Sequence, residues 1–115
     1  GIDQSIDQLE EKVHQLGGLF IPAHVDRSKN SLYSQLGIFP NGLKADAIEI
    51  SWRSKPEGFL SKHPELEGYP VITSSDAHFT DDIGKKTTLF RMKSRNFQEI
   101  KYALKGINGR EVKVL

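Results

Sequence analysis

The 115-residue sequence contains no cysteine. Disulfide bonds and thiolate metal sites are therefore excluded, and with them the secreted folds that depend on disulfides. The lack of cysteine is compatible with a reducing compartment, and we expect a cytoplasmic protein.

The sequence also lacks an excess of charge of one sign and any long apolar run. Its 16 Lys and Arg residues face 15 Asp and Glu residues, and the basic residues are scattered. This balance does not indicate nucleic acid as a partner. No apolar run approaches the roughly 20 residues of a membrane span, and the N-terminus shows no signal-peptide pattern. We therefore expect a soluble globular protein without a membrane partner, large enough for one small core.

Helix signals occur at both ends of the chain. A first helix is predicted from apolar residues spaced by three and four, and it ends at the glycine pair 17–18: Ile2, Ile6, Leu9, Val13 and Leu16. A last helix begins at a capping box, residues 96–99, and its buried side is predicted to carry Phe97, Ile100, Ala103 and Leu104. One helical turn is expected at residues 32–36. A short helix opening with a capping-box-like pattern is expected at 54–62.

Strand signals alternate with these helices. Strands are predicted at residues 19–24, 45–51, 69–73, 87–92 and 110–115. The run at 19–24 is apolar throughout, which favours a parallel strand covered on both faces. This order of elements predicts an α/β fold with mostly parallel strands flanked by helices.

Candidate metal ligands follow two of the predicted strands. His24 ends one strand, while Asp76 and His78 follow another at positions that share a side in extended backbone. In α/β folds, ligands bind at the carboxyl ends of strands, so these side chains are expected to converge. A carboxylate with neutral imidazoles suits Zn, Mn or Fe.

Three segments resemble the later motifs of PHP-domain (polymerase and histidinol phosphatase) proteins. They are Gly-Leu-Phe-Ile-Pro-Ala-His at 18–24, Ala-Ile-Glu-Ile at 47–50 and Ser-Ser-Asp-Ala-His at 74–78. The resemblance extends over about residues 17–84 and implies a distorted barrel of seven β/α units. It also implies two or three divalent ions, Zn, Mn or Fe, that hydrolyse phosphoesters. His24 matches the histidine of the third motif, and Asp76 and His78 match the fourth.

The family's earlier motifs are absent from this sequence. Those motifs, a His-x-His pair and a bridging glutamate among them, supply most of the ligands, whereas this chain has four histidines and no His-x-His. We therefore expect residues 1–115 to be the C-terminal part of a single, incomplete PHP domain. The missing N-terminal half is then a partner, and the substrate is a phosphorylated small molecule or a nucleotide. The alternative is a catalytically incomplete fragment, or a regulatory or binding module that keeps the fold without the activity.

Several nearby residues carry weaker expectations. Arg27 is a candidate phosphate ligand and Arg53 a weaker one. The alternative for both arginines is an ordinary position on the protein surface. Asp26 is expected to pair with Arg27 or to cap a turn. Glu49 is either a rim residue or a paired charge.

The remaining singled-out residues are expected to have structural roles. His14 is predicted to be solvated and His63 to end a helix. Ser74 and Ser75 are expected to satisfy backbone groups, and Trp52 is expected to pack.

Overall fold

The computed structural model describes residues 4–115 as an α/β fold with two small sheets. The helices are α1 (Ile6–Gln15), α2 (Leu32–Leu36), α3 (Pro56–Leu60) and α4 (Phe97–Leu104). The strands are β1 (Ile48–Glu49), β2 (Val71–Ile72), β3 (Thr88–Arg91) and β4 (Glu111–Val114). β1 pairs with β2 in parallel, whereas β3 pairs with β4 antiparallel. The expectation of mostly parallel strands therefore holds only for the first pair, and the barrel stays a prediction.

The helix α1 begins later than its apolar pattern predicted. The Ser5 hydroxyl accepts from the backbone N–H of Gln8, whose side chain accepts in return from the Ser5 N–H, so a capping box fixes the start. Ile2, assigned to the predicted stripe, lies outside the described residues. Leu16 is 89% exposed, because it follows the last helical turn instead of extending the stripe.

Residues 19–24 do not form the predicted strand. The segment runs beside β1, where its Phe20 and Pro22 carbonyls accept backbone hydrogen bonds of 2.9 and 3.0 Å. At His24 the φ of 49° is left-handed and not extended, and the next residue, Val25, still donates its N–H to the Glu49 carbonyl at 3.0 Å. The prediction was wrong about the strand, but the segment still delivers His24 to the carboxyl end of β1.

The main core surrounds β1. Ile48 and Ile50 are completely buried, and they pack with apolar residues from the loops and turns on either side: Val25, Phe39, Leu43 and Leu66. Burial of these side chains is the main favourable term that holds the short strands in place. The core therefore fixes the end of β1, from which the polar loops emerge.

The second sheet is tied to the first through one threonine. The Thr88 hydroxyl donates to the Thr73 carbonyl and accepts from the Thr73 N–H, both at 2.8 Å. The Ser75 hydroxyl likewise donates to the Lys86 carbonyl and accepts from its N–H. The expectation that Ser75 satisfies backbone groups is confirmed, and these contacts anchor the loop at residues 74–78.

The helix α4 packs on this second sheet with its start as predicted. The Asn96 side chain accepts from the Glu99 N–H at 2.9 Å. Ala103 and Leu104 are buried, but Phe97 is 51% exposed, which contradicts its predicted position on the buried side. Among residues 4–115, no helix is both long enough and apolar enough to span a bilayer.

Candidate metal and phosphate site

A polar cleft of about 660 Å³ opens where the loops leave β1 and β2. Four of the five sequence-predicted site residues line it: Arg27, Arg53, Asp76 and His78. The fifth, His24, lies next to Asp76, because its Nε2 atom is 3.7 Å from Asp76 Oδ1. Loops that are far apart in sequence thus bring all five residues to one region.

The three predicted metal ligands are arranged around Asp76. His78 Nε2 lies 4.0 Å from the same Oδ1 atom, and its side chain is 78% exposed. The convergence does not arise from extended backbone, however, since Asp76 has a φ of 49°. The expected geometry was wrong at this point, and a left-handed residue aims the carboxylate instead. Backbone conformations of this kind are costly for non-glycine residues and are often found at functional sites.

The chemistry of these side chains fits a transition metal, but the set is incomplete. Imidazole nitrogen and carboxylate oxygen are suitable donors for Zn, Mn or Fe. His24 Nδ1 is buried and has no hydrogen-bond partner among the described residues. Within residues 4–115, no three His, Asp or Glu side chains converge closely enough to hold an ion. The roles of His24, Asp76 and His78 as ligands stay predictions.

Arg27 is held inside the cleft by Asp76. Its Nη2 atom donates to Asp76 Oδ2 at 2.6 Å. This hydrogen bond is the main reason that the pKa of Asp76 is below its ordinary value of 3.8. The carboxylate is therefore ionised at neutral pH, in the state that a metal ligand or an arginine partner requires.

Arg53 and Trp52 form a second feature of the cleft. The Arg53 guanidinium lies 5.2 Å from the centre of the Trp52 ring, a cation–π distance. Trp52 is 41% exposed and lines the cleft. The ring therefore packs against an arginine at the cleft wall and not in the core.

Asp26 organises the loops around the cleft, a role that sequence reasoning missed. Its carboxylate accepts from the Ser51 N–H at 2.7 Å, from the Ser51 hydroxyl at 2.5 Å and from the Ser54 hydroxyl. Burial raises the pKa of Asp26, but these hydrogen bonds outweigh it and the pKa is lowered overall. It neither pairs with Arg27 nor caps a local turn. Ser54 does not cap α3 as the predicted capping box required, and α3 begins after Lys55 without a side-chain cap.

The Glu49 carboxylate contacts Ser74 and faces His24. The Ser74 hydroxyl donates to Glu49 Oε1, and Oε2 lies 3.4 Å from His24 Nδ1. The Glu49 side chain is only 12% exposed. It therefore stands directly behind His24, on the other side of the ring from Asp76.

The two other histidines lie outside the cleft. His14 is not simply solvated as predicted, because its ring bridges Glu10 and Asp46, with a distance of 2.7 Å from Nε2 to Asp46 Oδ2. His63 precedes the 3-10 turn Pro64–Leu66 and stacks on Phe59 at 4.3 Å, which confirms its role at a helix end.

Comparisons with known proteins agree with the resemblance in sequence. Residues 65–106 match a family described as PHP-associated, which is consistent with the C-terminal region of a PHP domain. The protein YqxK of Bacillus subtilis (strain 168) is 34% identical over 110 residues, a match that covers 90% of this chain and 28% of YqxK.

Two solved structures share the fold. The lesion-specific endonuclease PfuEndoQ from Pyrococcus furiosus superposes with a TM-score of 0.80 at 24% identity, over 96% of this chain and 29% of that one. Endonuclease Q in complex with a 27-mer duplex substrate, which has an abasic lesion at the active site, gives 0.76 at 23% identity, with the same coverage of both chains. The chain thus spans less than a third of the length of these proteins.

Proposed function

We propose that this chain, which carries a PHP-associated segment at residues 65–106, is the C-terminal part of a metal-dependent phosphoesterase. In this proposal residues 1–115 belong to one PHP domain, and an N-terminal half supplies the remaining metal ligands. The observation that carries the proposal is that His24 and His78 both lie within 4.0 Å of the same Asp76 oxygen, at the cleft that Arg27 also lines.

Each residue has a distinct role in this proposal. His24, Asp76 and His78 would hold divalent ions, which when bound supply a water of lowered pKa and neutralise charge on phosphate oxygens. The histidines act as neutral ligands and not as nucleophiles. Arg27 and, more weakly, Arg53 orient the phosphate, because a guanidinium donates two parallel hydrogen bonds to phosphate oxygens.

The substrate that we favour is a phosphodiester in damaged duplex DNA. Support comes from the fold shared with lesion-specific endonuclease structures and from the makeup of the cleft. The cleft combines the side chains of Lys29 and Lys85 with the two arginines, and its mouth carries the exposed rings of Trp52 and Phe79. Cations bind the phosphate backbone and aromatic rings stack on bases. This proposal departs from our expectation from overall charge, because it gives the phosphate contacts to four cationic side chains that line the cleft beside three carboxylates, Asp26, Asp76 and Asp82.

The test is an activity assay on the full-length protein that contains this chain. Duplex DNA with an abasic site, undamaged duplex and a simple phosphate monoester are compared in Mn²⁺, in Zn²⁺ and after EDTA. We expect cleavage of the damaged duplex that EDTA abolishes. His24→Ala and His78→Ala should each lower the rate by at least about tenfold, since even the loss of an outer-shell partner costs that much.

His63→Ala is the matched control, because this histidine lies outside the cleft and should leave the rate unchanged. Unchanged cleavage by His78→Ala with metal retained would remove His78 from the site. Cleavage of the monoester alone would keep the phosphoesterase and reject DNA as its substrate.

The second candidate is a binding module that keeps the fold without catalysis. It is favoured by the finding that residues 4–115 contain no group of three side chains able to hold an ion. Full-length protein that binds the abasic duplex in a gel-shift assay, but does not cut it in any of the metals, would establish this alternative.

A further inference from the structure

His24 has two ring nitrogens in different surroundings. Nε2 faces Asp76, a residue of the cleft wall, at 3.7 Å from Oδ1. Nδ1 faces the other way, is fully buried, and lies 3.4 Å from Glu49 Oε2 without forming a hydrogen bond. A neutral imidazole carries one proton, and these surroundings determine which nitrogen holds it.

The carboxylate of Glu49 is itself held in place. The Ser74 hydroxyl donates to its Oε1 atom, which leaves Oε2 directed at the imidazole. Ser74 belongs to the loop after β2, whereas Glu49 ends β1 and His24 follows the segment beside it. The side chains of Ser74, Glu49 and His24 thus form a series of neighbours that ends at Asp76.

We infer that Glu49 is a positioning residue that holds His24 in the Nδ1–H tautomer, so that Nε2 is the atom available to a metal. The Glu49 carboxylate and the buried Nδ1 are 3.4 Å apart and need only a small adjustment to form an N–H···O hydrogen bond. A proton on Nε2 would instead leave the buried Nδ1 facing the Glu49 carboxylate as a second acceptor, which is costly, whereas an unprotonated Nε2 faces an Asp76 carboxylate that is 26% exposed and already accepts from Arg27. Histidines that bind metals commonly donate their second N–H to a carboxylate in this way. The inference rests on the proposed function only for the claim that Nε2 binds a metal. The preference for the Nδ1–H tautomer does not depend on that function.

Long-range ¹H–¹⁵N correlation spectra of the 115-residue chain test the inference, because they distinguish the two tautomers. The metal-free chain is examined at about pH 8, above the ordinary histidine pKa of about 6.5. We expect the Nδ1–H form of His24 in the unmodified chain and a shift toward Nε2–H in Glu49→Leu, which removes the acceptor. Glu49→Gln should restore the Nδ1–H form, since its amide oxygen still accepts.

A Zn²⁺ titration followed by the same His24 resonances supplies the second readout. Half-saturation should need about 10–100-fold more Zn²⁺ in Glu49→Leu than in the unmodified chain. Glu67→Leu is the control, an equal change at an exposed glutamate, and should leave both readouts unchanged. Amide spectra report whether each variant is folded. If Glu49→Leu is not, Ser74→Ala takes its place, with a smaller shift expected in the same direction.

The outcomes separate the inference from the proposed function. An Nε2–H tautomer in the unmodified chain, or a tautomer that is the same in all folded variants, would overturn the role of Glu49. His24 resonances that do not respond even to a large excess of Zn²⁺, although the tautomer depends on Glu49, would instead count against His24 as a ligand and hence against the proposed metal site.

Discussion

Asp26 is the residue whose side chain joins the two rims of the cleft. Its carboxylate accepts three hydrogen bonds from Ser51 and Ser54, which lie 25 and 28 positions further along the chain. We expect Asp26→Asn to lower the free energy of unfolding by about 1–3 kcal/mol, because one donor from the serines must then face an amide N–H₂ group. Urea unfolding at neutral pH measures this difference.

The matched control is Asp81→Asn, a change of the same type at an exposed position. It should stay within about 0.5 kcal/mol of the unmodified chain. The pKa of Asp26 is lowered in the folded state, so its stabilising contribution is present above its ordinary value of 3.8 and is lost as the pH falls through the folded pKa. Equal stabilities of Asp26→Asn and the control would show that the three hydrogen bonds are energetically unimportant.

The sequence predicted which residues lie at the cleft, but it did not predict their backbone conformation. The spacing of Asp76 and His78 marked both residues, yet the reason given for their convergence assumed extended backbone. His24 and Asp76 both adopt a φ of 49°, a left-handed conformation that no local pattern of apolar and polar residues encodes. Such conformations are imposed by contacts such as Arg27 to Asp76, which joins residues 49 positions apart.

At the scale of elements, α4 is fastened to β4 by a buried ion pair. Two atoms of the Arg110 guanidinium donate to the two Glu99 oxygens, each at 2.7 Å, and the Lys93 N–H also donates to this carboxylate. The hydrogen bonds from Arg110 are the main reason that the pKa of Glu99 falls to about 2. The Glu99 carboxylate therefore does not take part in the capping box that was predicted at the start of α4.

The lowered pKa gives a prediction for stability against pH. Because the folded pKa lies below the ordinary value of 4.5, the contribution of Glu99 is present above pH 4.5 and is lost as the pH falls toward about 2. In Glu99→Gln, the free energy of unfolding should be lower at neutral pH and should fall less steeply across this window. Urea midpoints at a series of pH values give both quantities.

Glu111→Gln is the control for this prediction. Glu111 pairs with Arg91 at 3.0 Å, but the side chains are 49% and 67% exposed, so the pair is screened by solvent. Its pH dependence should match that of the unmodified chain. The importance of the Glu99–Arg110 pair would be refuted by curves for Glu99→Gln and Glu111→Gln that coincide.

Elements with strong local signals were predicted well. The helix α4 and the strands β3 and β4 lie where periodicity and capping residues placed them, and the single helical turn expected at residues 32–36 is also present as α2. A predicted capping box did not form where a distant side chain makes a hydrogen bond with the residue expected to cap the helix. Ser54 carries a capping hydroxyl, but Asp26 accepts its hydrogen bond, and α3 starts without it.

At the scale of the whole molecule, the α/β class was predictable and the arrangement of its sheets was not. Continuous apolar runs favour parallel strands, and one such pair forms at β1 and β2. The second sheet is antiparallel, because β4 returns along β3 after α4, and strand alternation alone does not exclude this return. Thr88, which links the two sheets, carries no recognisable sequence signal.

The incomplete ligand set of residues 4–115 leads to a prediction about the molecule as a whole. The 115-residue chain should bind Zn²⁺ or Mn²⁺ weakly and show little phosphoesterase activity, because two imidazoles and one carboxylate shared among several ions leave each ion with too few ligands. The full-length protein should bind at least about 100-fold more tightly, since each additional ligand contributes its own share of the binding free energy. Isothermal titration calorimetry of both proteins in the same buffer measures the ratio. Tight, stoichiometric metal in the 115-residue chain would mean that His24, Asp76 and His78 close a site by themselves, in which case the proposed division of the ligands between two halves of a domain is incorrect.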